Sequence, residues 1–425
     1  MRRWLLLLCL IASLWAFGVS YADEATISIR TEPLGKISPY VFGANYGPWA
    51  ALPARLWDQA AESGISLLRF PGGAWGDEND LQPYHIDPFI KLARRLNAEP
   101  LIHVRFLNST PERAARLVRH VNVERGYGVR FWSIGNEPDL YKSYSPEQFA
   151  KQWRAFALAM RAVDPNILLV GPDISQYPVS PDDYHAPLRR WIRAFLRENA
   201  DLVNIVSVHR YPLPRTLDAP LATISQLRET AKQWDYLIND LRRVIREVTG
   251  RDYPIGILEV NSHWTRTIGG EATPDSFFHA IWWADVLTRL INHRVDIVAY
   301  FILAGGDGPD YGLFNTRGAY PTFYVYPLYK RFGKTLLRAQ SGDGHLTVAA
   351  ALDEAGQLTL MVVNPYKTER KVRLRVDGKT ACPIKGAWRL DEQHKAEPVT
   401  LETNEPRLVV PRYSATLYVL DAKCQ

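Results

Sequence analysis

The chain has 425 residues, of which 47% are apolar and 23% charged, a balance that excludes a disordered or fibrous protein. The formal net charge of +6 is spread along the sequence, and no basic, aromatic-interleaved stripe is present, which argues against a nucleic-acid partner. The length exceeds one small domain and suits a large barrel with an accessory domain.

At the N-terminus, Arg2-Arg3 is followed by the apolar run Trp4–Val19 and by Ser20-Tyr21-Ala22, a small-x-small cleavage site before Asp23. Residues 1–22 therefore read as a secretory leader, whose loss would leave a net charge of about +4. An uncleaved anchor is the alternative, but the run is short for a full span, and no other segment could cross a membrane. The expectation is a secreted or periplasmic protein with no stable membrane association after cleavage. Of the three cysteines, Cys9 leaves with the leader. Cys382 and Cys424 remain as an even pair in an exported chain and are expected to form a disulfide.

Residues 23–35 contain one isolated strand, Ala25–Arg30, expected to join a later β domain. From residue 36 to 333, apolar β-rich runs alternate with amphipathic helical segments, the pattern of βα units. The strands are Pro39–Asn45, Ile65–Phe70, Pro100–Phe106, Val129–Ile134, Ile167–Val170, Val203–Val208, Ile255–Leu258 and Asp296–Leu303. Helices are expected over Leu52–Ser63, Asp87–Leu96 with an Asp cap, from Thr110-Pro111, Ser145–Val163, Leu188–Glu198, Ile224–Val248, Pro274–Asn292 and Tyr324–Phe332. Eight such units in about 300 residues predict an α/β fold, a (β/α)8 TIM barrel; an open doubly wound sheet is the alternative. Residues 334–425 change character. Leu346–Ala351, Gln357–Asn364, Arg370–Val376 and Ser414–Leu420 show no helical period and predict a C-terminal β-sandwich domain.

In a barrel of this type the site lies at the C-terminal ends of the strands. The polar residues there are Arg69, His103, Arg105, Asn108, Asn136, Glu137, His209, Tyr211, Glu259, Asn261, His263, Trp264, Asp307 and Asp310. Glu137 and Glu259 end strands four and seven, across the barrel mouth from each other. A retaining glycosidase needs such a carboxyl pair about 5–5.5 Å apart, one a proton donor and the other a nucleophile.

Gly135-Asn136-Glu137-Pro138 resembles the acid/base motif of glycoside hydrolase clan A, and Glu259 resembles that clan's nucleophile. Arg69-Phe70-Pro71-Gly72-Gly73 is similar to the Arg-aromatic-Pro-Gly-Gly turn of the α-L-arabinofuranosidases. The β-xylosidase/α-L-iduronidase and heparanase-like β-glucuronidase families share the barrel-plus-sandwich layout. Val260-Asn261-Ser262-His263-Trp264 departs from each of these patterns and leaves the sugar open. The resemblance implies a carbohydrate substrate and no cofactor or metal.

Within this frame, Asn136 is expected to bond the sugar 2-hydroxyl. Arg69 is expected to hold Glu259 ionised, and Tyr211 to reach Glu259 or the ring oxygen. His209 would bind sugar or buttress Glu137. His103 and Arg105 are further candidate ligands, and Tyr46, Trp75 and Trp264 candidate stacking surfaces. The Asp307–Asp310 loop would shape the subsites. Two rival readings use the same residues. His103, Glu137, His209 and Glu259 could form a metal site of a sugar-isomerase-like barrel, or the scaffold could bind glycans without cleaving them.

Overall fold

The computed structural model describes residues 25–213, 220–265, 267–306, 311–380, 383–401 and 407–420. The expected leader at 1–22, the Cys382–Cys424 pair, Asp307 and Asp310 lie outside these residues. Among the described residues no helix is long and apolar enough to cross a membrane.

The chain enters through β1 (Thr26–Lys36) and then builds a closed barrel of parallel strands. These are β2 (Gly43–Asn45), β3 (Leu67–Phe70), β4 (Glu99–Val104), β5 (Phe131–Ile134), β6 (Leu168–Ile174), β7 (Ile205–Arg210), β8 (Ile255–Val260) and β9 (Ile297–Tyr300). Each is followed by a helix: Trp57–Glu62, Pro83–Arg95, Pro111–Val118, Pro146–Val163, Arg189–Asn199, Ile224–Thr249, Phe277–Asn292 and Val325–Tyr329. Hydroxyl caps start several of them. Thr110, Ser145, Thr223 and Ser276 each accept the amide three residues on, satisfying a donor with no intrahelical partner.

Two local expectations are corrected. Pro39–Val41 is a 3-10 turn opened by Ser38, which accepts from the Tyr40 amide, so the first barrel strand is short. The second helix begins at Pro83 rather than at an Asp87 cap. Gln82 and His85 cap it reciprocally, and Asp87 in the second turn accepts from the Tyr127 hydroxyl at 2.8 Å.

Strand alternation divides the barrel interior into a dry floor and a polar upper layer. Leu67, Leu101, Phe131, Val170, Ile205, Leu258, Ile297 and Ala299 fill the floor, and Tyr40 closes it from below, edge-on to Phe131 at 5.1 Å. Two residues further along, the same strand faces carry Arg69, His103, Ser133 and Ser207, all buried.

The second sheet comprises β10 (Thr335–Ser341), β11 (Thr347–Leu352), β12 (Leu358–Asn364), β13 (Arg370–Val376), β14 (Lys379–Thr380), β15 (Ile384–Leu390), β16 (Lys395–Pro398), β17 (Arg407–Val410) and β18 (Ser414–Leu420). It curls in the order β14-β13-β1-β10-β11-β12-β18-β15-β16, with β17 also on β13. β1 pairs antiparallel to β10 and parallel to β13, so the first strand of the chain lies inside this sheet. Ile27, Ile29, Val348, Leu360, Val362 and Val372 meet in a core of their own. The opposite faces of β11, β12 and β18 present Ala349, Met361 and Leu417 to the barrel core. Burial on both faces is why these strands read as continuous apolar runs while β13 alternates. Helix Phe277–Asn292 seals the junction: Arg289 donates to Thr347 Oγ1 at 2.9 Å and Asn292 to the Val348 carbonyl at 2.8 Å.

Ile29→Ala tests the docking of β1. Truncating a fully packed isoleucine should cost about 2–5 kcal/mol, read as a lower urea midpoint. An unchanged midpoint would mean that β1 is not part of the cooperative sheet.

Candidate active site

The polar layer is organised around Arg69, which points up from β3 and has no solvent exposure. Its Nη1 donates to Glu259 Oε1 at 2.7 Å and to Asn45 Oδ1 at 3.1 Å. Its Nη2 donates to Asn136 Oδ1 at 2.9 Å and to Asp173 Oδ2 at 3.2 Å. One guanidinium thus ties together the ends of β2, β5, β6 and β8. Asn45 is itself fixed by donating to the Leu258 and Ala299 carbonyls, at 2.8 and 3.1 Å.

Glu259 is held on both oxygens. The Gly73 amide adds a second bond to Oε1 at 2.9 Å, and the Tyr211 hydroxyl donates to Oε2 at 2.7 Å. The turn after β3 makes the Gly73 bond possible. Gly72 and Gly73 both have positive φ, and a Cβ on Gly72 would lie 2.8 Å from Asn45 Oδ1, so a side chain would push into the network. Burial alone would raise the Glu259 pKa, but His209, Arg69 and Tyr211 outweigh it and hold this carboxyl below the ordinary value.

Glu137 follows β5 by a sharp turn. Gly135 has φ +79°, and its missing Cβ would lie 2.9 Å from Phe106 Cβ. Glu137 itself is left-handed (φ 48°, ψ 52°), a conformation that costs a non-glycine residue roughly 1–2 kcal/mol. Two anchors hold it there: its amide donates to the Asp173 carbonyl at 2.9 Å, and the preceding Asn136 amide donates to Asp77 Oδ2 at 2.7 Å. The carboxyl meets His209, with Oε1 3.0 Å from Nδ1. Burial is the largest influence on Glu137 and raises its pKa; the hydrogen bond from His209 opposes this, the nearby Glu259 charge adds to it, and the net shift is upward.

His209 stands between the two carboxyls, its Nδ1 also 3.7 Å from Glu259 Oε2. Burial pulls its pKa down, but the two glutamates override this and raise it. Glu137, His209 and Glu259 each offer one ligand atom, and these atoms all lie within 4.8 Å of one another. The donors already on Glu259 fit a metal poorly. A cation there would displace the Tyr211 or Gly73 donor and face the Arg69 guanidinium across one carboxylate.

Of the residues singled out from sequence, Arg69, Asn136, Glu137, His209, Tyr211 and Glu259 are brought together. His103, expected to touch substrate or metal, is fully buried in the wall beside Asp77 Oδ1 at 3.6 Å, with Gly76 packed on its ring. Tyr46 packs on Phe70 and takes the Leu52 amide on its hydroxyl, and Trp75 stands edge-on to His85. Trp264 is 57% exposed in the loop after β8. Arg105 lies outside the glutamate cluster, paired with Asp80. Asn261 bonds the Phe301 carbonyl at 2.6 Å and shapes that loop.

Several participants were not foreseen. Asp77, buried in the turn after β3, accepts from the Phe106 and Asn136 amides, both at 2.7 Å, and so links the loop after β4 to the Glu137 segment. Asp173 and Asn45 complete the arginine network. An aromatic wall, Trp49 on Phe301 on Tyr311 with centroids 6.4 and 5.7 Å apart, flanks the Gly73 turn. An aspartate following a strand was a usable signal for Asp173; the aromatics carried none in a search for polar residues.

No protein-family model and no curated protein sequence matches this chain. Its fold is that of the clan A glycoside hydrolases. It is similar to an α-L-arabinofuranosidase from Thermotoga maritima in its arabinose complex, with TM-score 0.74 and 18% identity over 93% of this chain and 100% of that one. It is also similar to a family 51 arabinofuranosidase from Xanthomonas axonopodis pv. citri (TM-score 0.76, 15% identity, 94% and 100% covered). A family 44 xyloglucanase from Paenibacillus polymyxa gives 0.70 and 15% over 94% and 100%.

Arg69→Met tests the network through stability. It leaves Glu259 and Asp173 buried without their cation and should cost about 3–5 kcal/mol at pH 7. In the native protein the lowered Glu259 pKa contributes stability above its ordinary value of 4.5, and this is lost as pH falls through the folded value. Without Arg69 the carboxyl would be destabilising when ionised and relieved on protonation. The gap between variant and native protein should therefore narrow between pH 7 and pH 4 in urea denaturation. A gap independent of pH would contradict this assignment.

Proposed function

We propose that the chain is a retaining glycoside hydrolase acting on O-glycosyl bonds of oligo- or polysaccharides by double displacement, with α-L-arabinofuranosides the first substrate class to assay. The observation that carries the reading is the pair of carboxyls on facing strands, Glu137 and Glu259, with an oxygen of one within 4.8 Å of an oxygen of the other and pKa values driven in opposite directions. Arabinofuranosidases of the same fold support the substrate class. The leader at residues 1–22 supports action outside the cytoplasm.

In this mechanism Glu259 attacks the anomeric carbon. Its Oε1 is taken by Arg69 and Gly73, while among the described residues Oε2 accepts only from Tyr211, so Oε2 is the attacking atom. Glu137 gives its proton to the leaving oxygen as the glycosyl ester forms. In the second step Glu137, now ionised, takes a proton from water, which attacks the anomeric carbon and frees Glu259. Arg69 holds Asn136 by Oδ1, leaving the Nδ2 end of the amide as donor to the sugar 2-hydroxyl. His209 stabilises Glu137 in its ionised, basic phase.

The division of roles predicts a bell-shaped kcat/KM profile. Activity should rise with pH as Glu259 ionises, below the ordinary glutamate value of 4.5, and fall at higher pH as Glu137, whose pKa lies above that value, loses its proton. Glu137→Ala should retain cleavage of aryl glycosides with good leaving groups, and azide should restore turnover with retained configuration. Glu259→Ala with azide should give the inverted product. If Glu137→Ala yields the inverted azide, the two roles are exchanged; if neither change lowers the rate more than about tenfold, the reading fails.

A further inference from the structure

A second recess lies outside the glutamate cluster, beside the C-terminal end of β4. It is a cavity of about 320 Å³ between the start of helix Pro83–Arg95, the end of β4 and helix Pro111–Val118. Arg105, Arg113, Arg116 and His120 line it against a single lining carboxylate, Asp80, over an apolar floor that includes Leu117. Asp80 takes both Arg105 at 3.4 Å and Arg113 at 3.2 Å. Two guanidiniums sharing one carboxylate, with Arg116 beside them, leave a positive excess among the lining groups. Arg105 is pre-set for binding, because its Nε donates to the Leu107 carbonyl at 2.9 Å and its side chain is only 21% exposed.

His120 supplies an independent observation. Its Nδ1 lies 3.1 Å from Glu124 Oε2, a carboxylate that requires Nδ1 to donate. The other ring nitrogen, Nε2, is buried with no hydrogen-bond partner among the described residues. In that tautomer Nε2 is an acceptor, which a sugar hydroxyl reaches only when the imidazole shifts, because the atom is closed to solvent in the free protein. Guanidiniums for an anion, an acceptor for a hydroxyl and an apolar surface for a C–H face together match a carboxylated sugar ring. The recess is linked to the Glu137 segment through the chain and through Asp77. Arg105 is next to Phe106, whose amide shares Asp77 with the Asn136 amide, and Asp80 lies three residues beyond Asp77.

We propose that this cavity is a subsite for a uronate residue, so that the polymer presented to Glu137 and Glu259 is an acidic glycan even where the sugar released is neutral. Its catalytic meaning rests on the glycosidase reading; the binding does not. The test is titration calorimetry on the full-length Glu137→Gln protein. The probes are glucuronate- and galacturonate-bearing oligosaccharides, each beside its carboxyl-reduced counterpart. At least one acidic series should bind about tenfold or more tightly than its reduced form. The added changes Arg113→Ala and Arg116→Ala, at exposed side chains, should abolish that preference without moving the thermal midpoint. Should the midpoint move, Arg116→Glu alone must abolish it. Equal affinity for acidic and reduced chains in both series would overturn the proposal, as would a preference that survives these changes. In the otherwise native enzyme the two arginine changes should leave kcat on a small neutral aryl glycoside unaltered. A drop there would overturn the separation of this cavity from the centre. Binding is read without turnover, so failure here and failure of the azide experiment point to different parts of the account.

Discussion

A guanidinium with no access to water occupies the middle of the barrel's upper layer, and the surrounding residues are arranged to make that tolerable. Burying an isolated charge is prohibitive unless it is paired and its donors are satisfied. Arg69 finds two carboxylates and two amide oxygens, one from each of four strand ends. The same bonds that stabilise the cation fix the positions of Asn45, Asn136, Asp173 and Glu259. Its ion pair with Glu259, together with His209 and Tyr211, favours the ionised form of that carboxyl. At Glu137 burial is the largest influence and raises the pKa, and the neighbouring Glu259 charge adds to it, so the two glutamates are shifted in opposite directions. The opposed shifts of the two glutamates follow from burial at Glu137 and from the partners His209, Arg69 and Tyr211, which outweigh burial, at Glu259.

A supporting layer turns this electrostatic arrangement into a geometric one. Asp77 gathers the loops after β4 and β5, and the Asp173 carbonyl holds the Glu137 amide, so the left-handed turn that aims the acid is pinned from two sides. Beneath, the apolar floor keeps water out of the barrel interior. Behind, the second sheet buries one face of β11 and β12 against helix Phe277–Asn292, the helix that follows β8 and Glu259. Placement on strand ends and short turns, rather than on long loops, holds the two carboxyls in fixed positions.

Sequence patterning made much of this legible, for identifiable reasons. The apolar runs that become barrel strands are buried on both faces, and a charged residue at the end of such a run has little to do but face the barrel mouth. That reasoning found Arg69, Glu137, His209 and Glu259. Period-two alternation gives the face of a strand but not the depth at which a side chain stops, so His103 was expected at the ligand and instead lies under Asp77. Asp77 and Asn45 were passed over because one hides in a short helical turn and the other is a neutral residue at the end of a three-residue strand. The Asp87 cap was displaced by a Gln82–His85 pairing with no strong sequence signature. In the second domain β16 and β17 were missed because edge position and short length blur the alternation, and β10 and β15 because their burial does not alternate strictly, whereas doubly buried β12 and β18 were plain.

The central claim is that the Arg69 network makes Glu259, and not Glu137, the nucleophile. The most direct measurement is covalent trapping: incubation with a panel of cyclitol aziridines of differing ring configuration, then intact mass and peptide mapping of the inactivated protein. The account predicts a single adduct on Glu259, lost in Arg69→Met. An adduct on Glu137, or one that forms on Glu259 equally fast without Arg69, would contradict it.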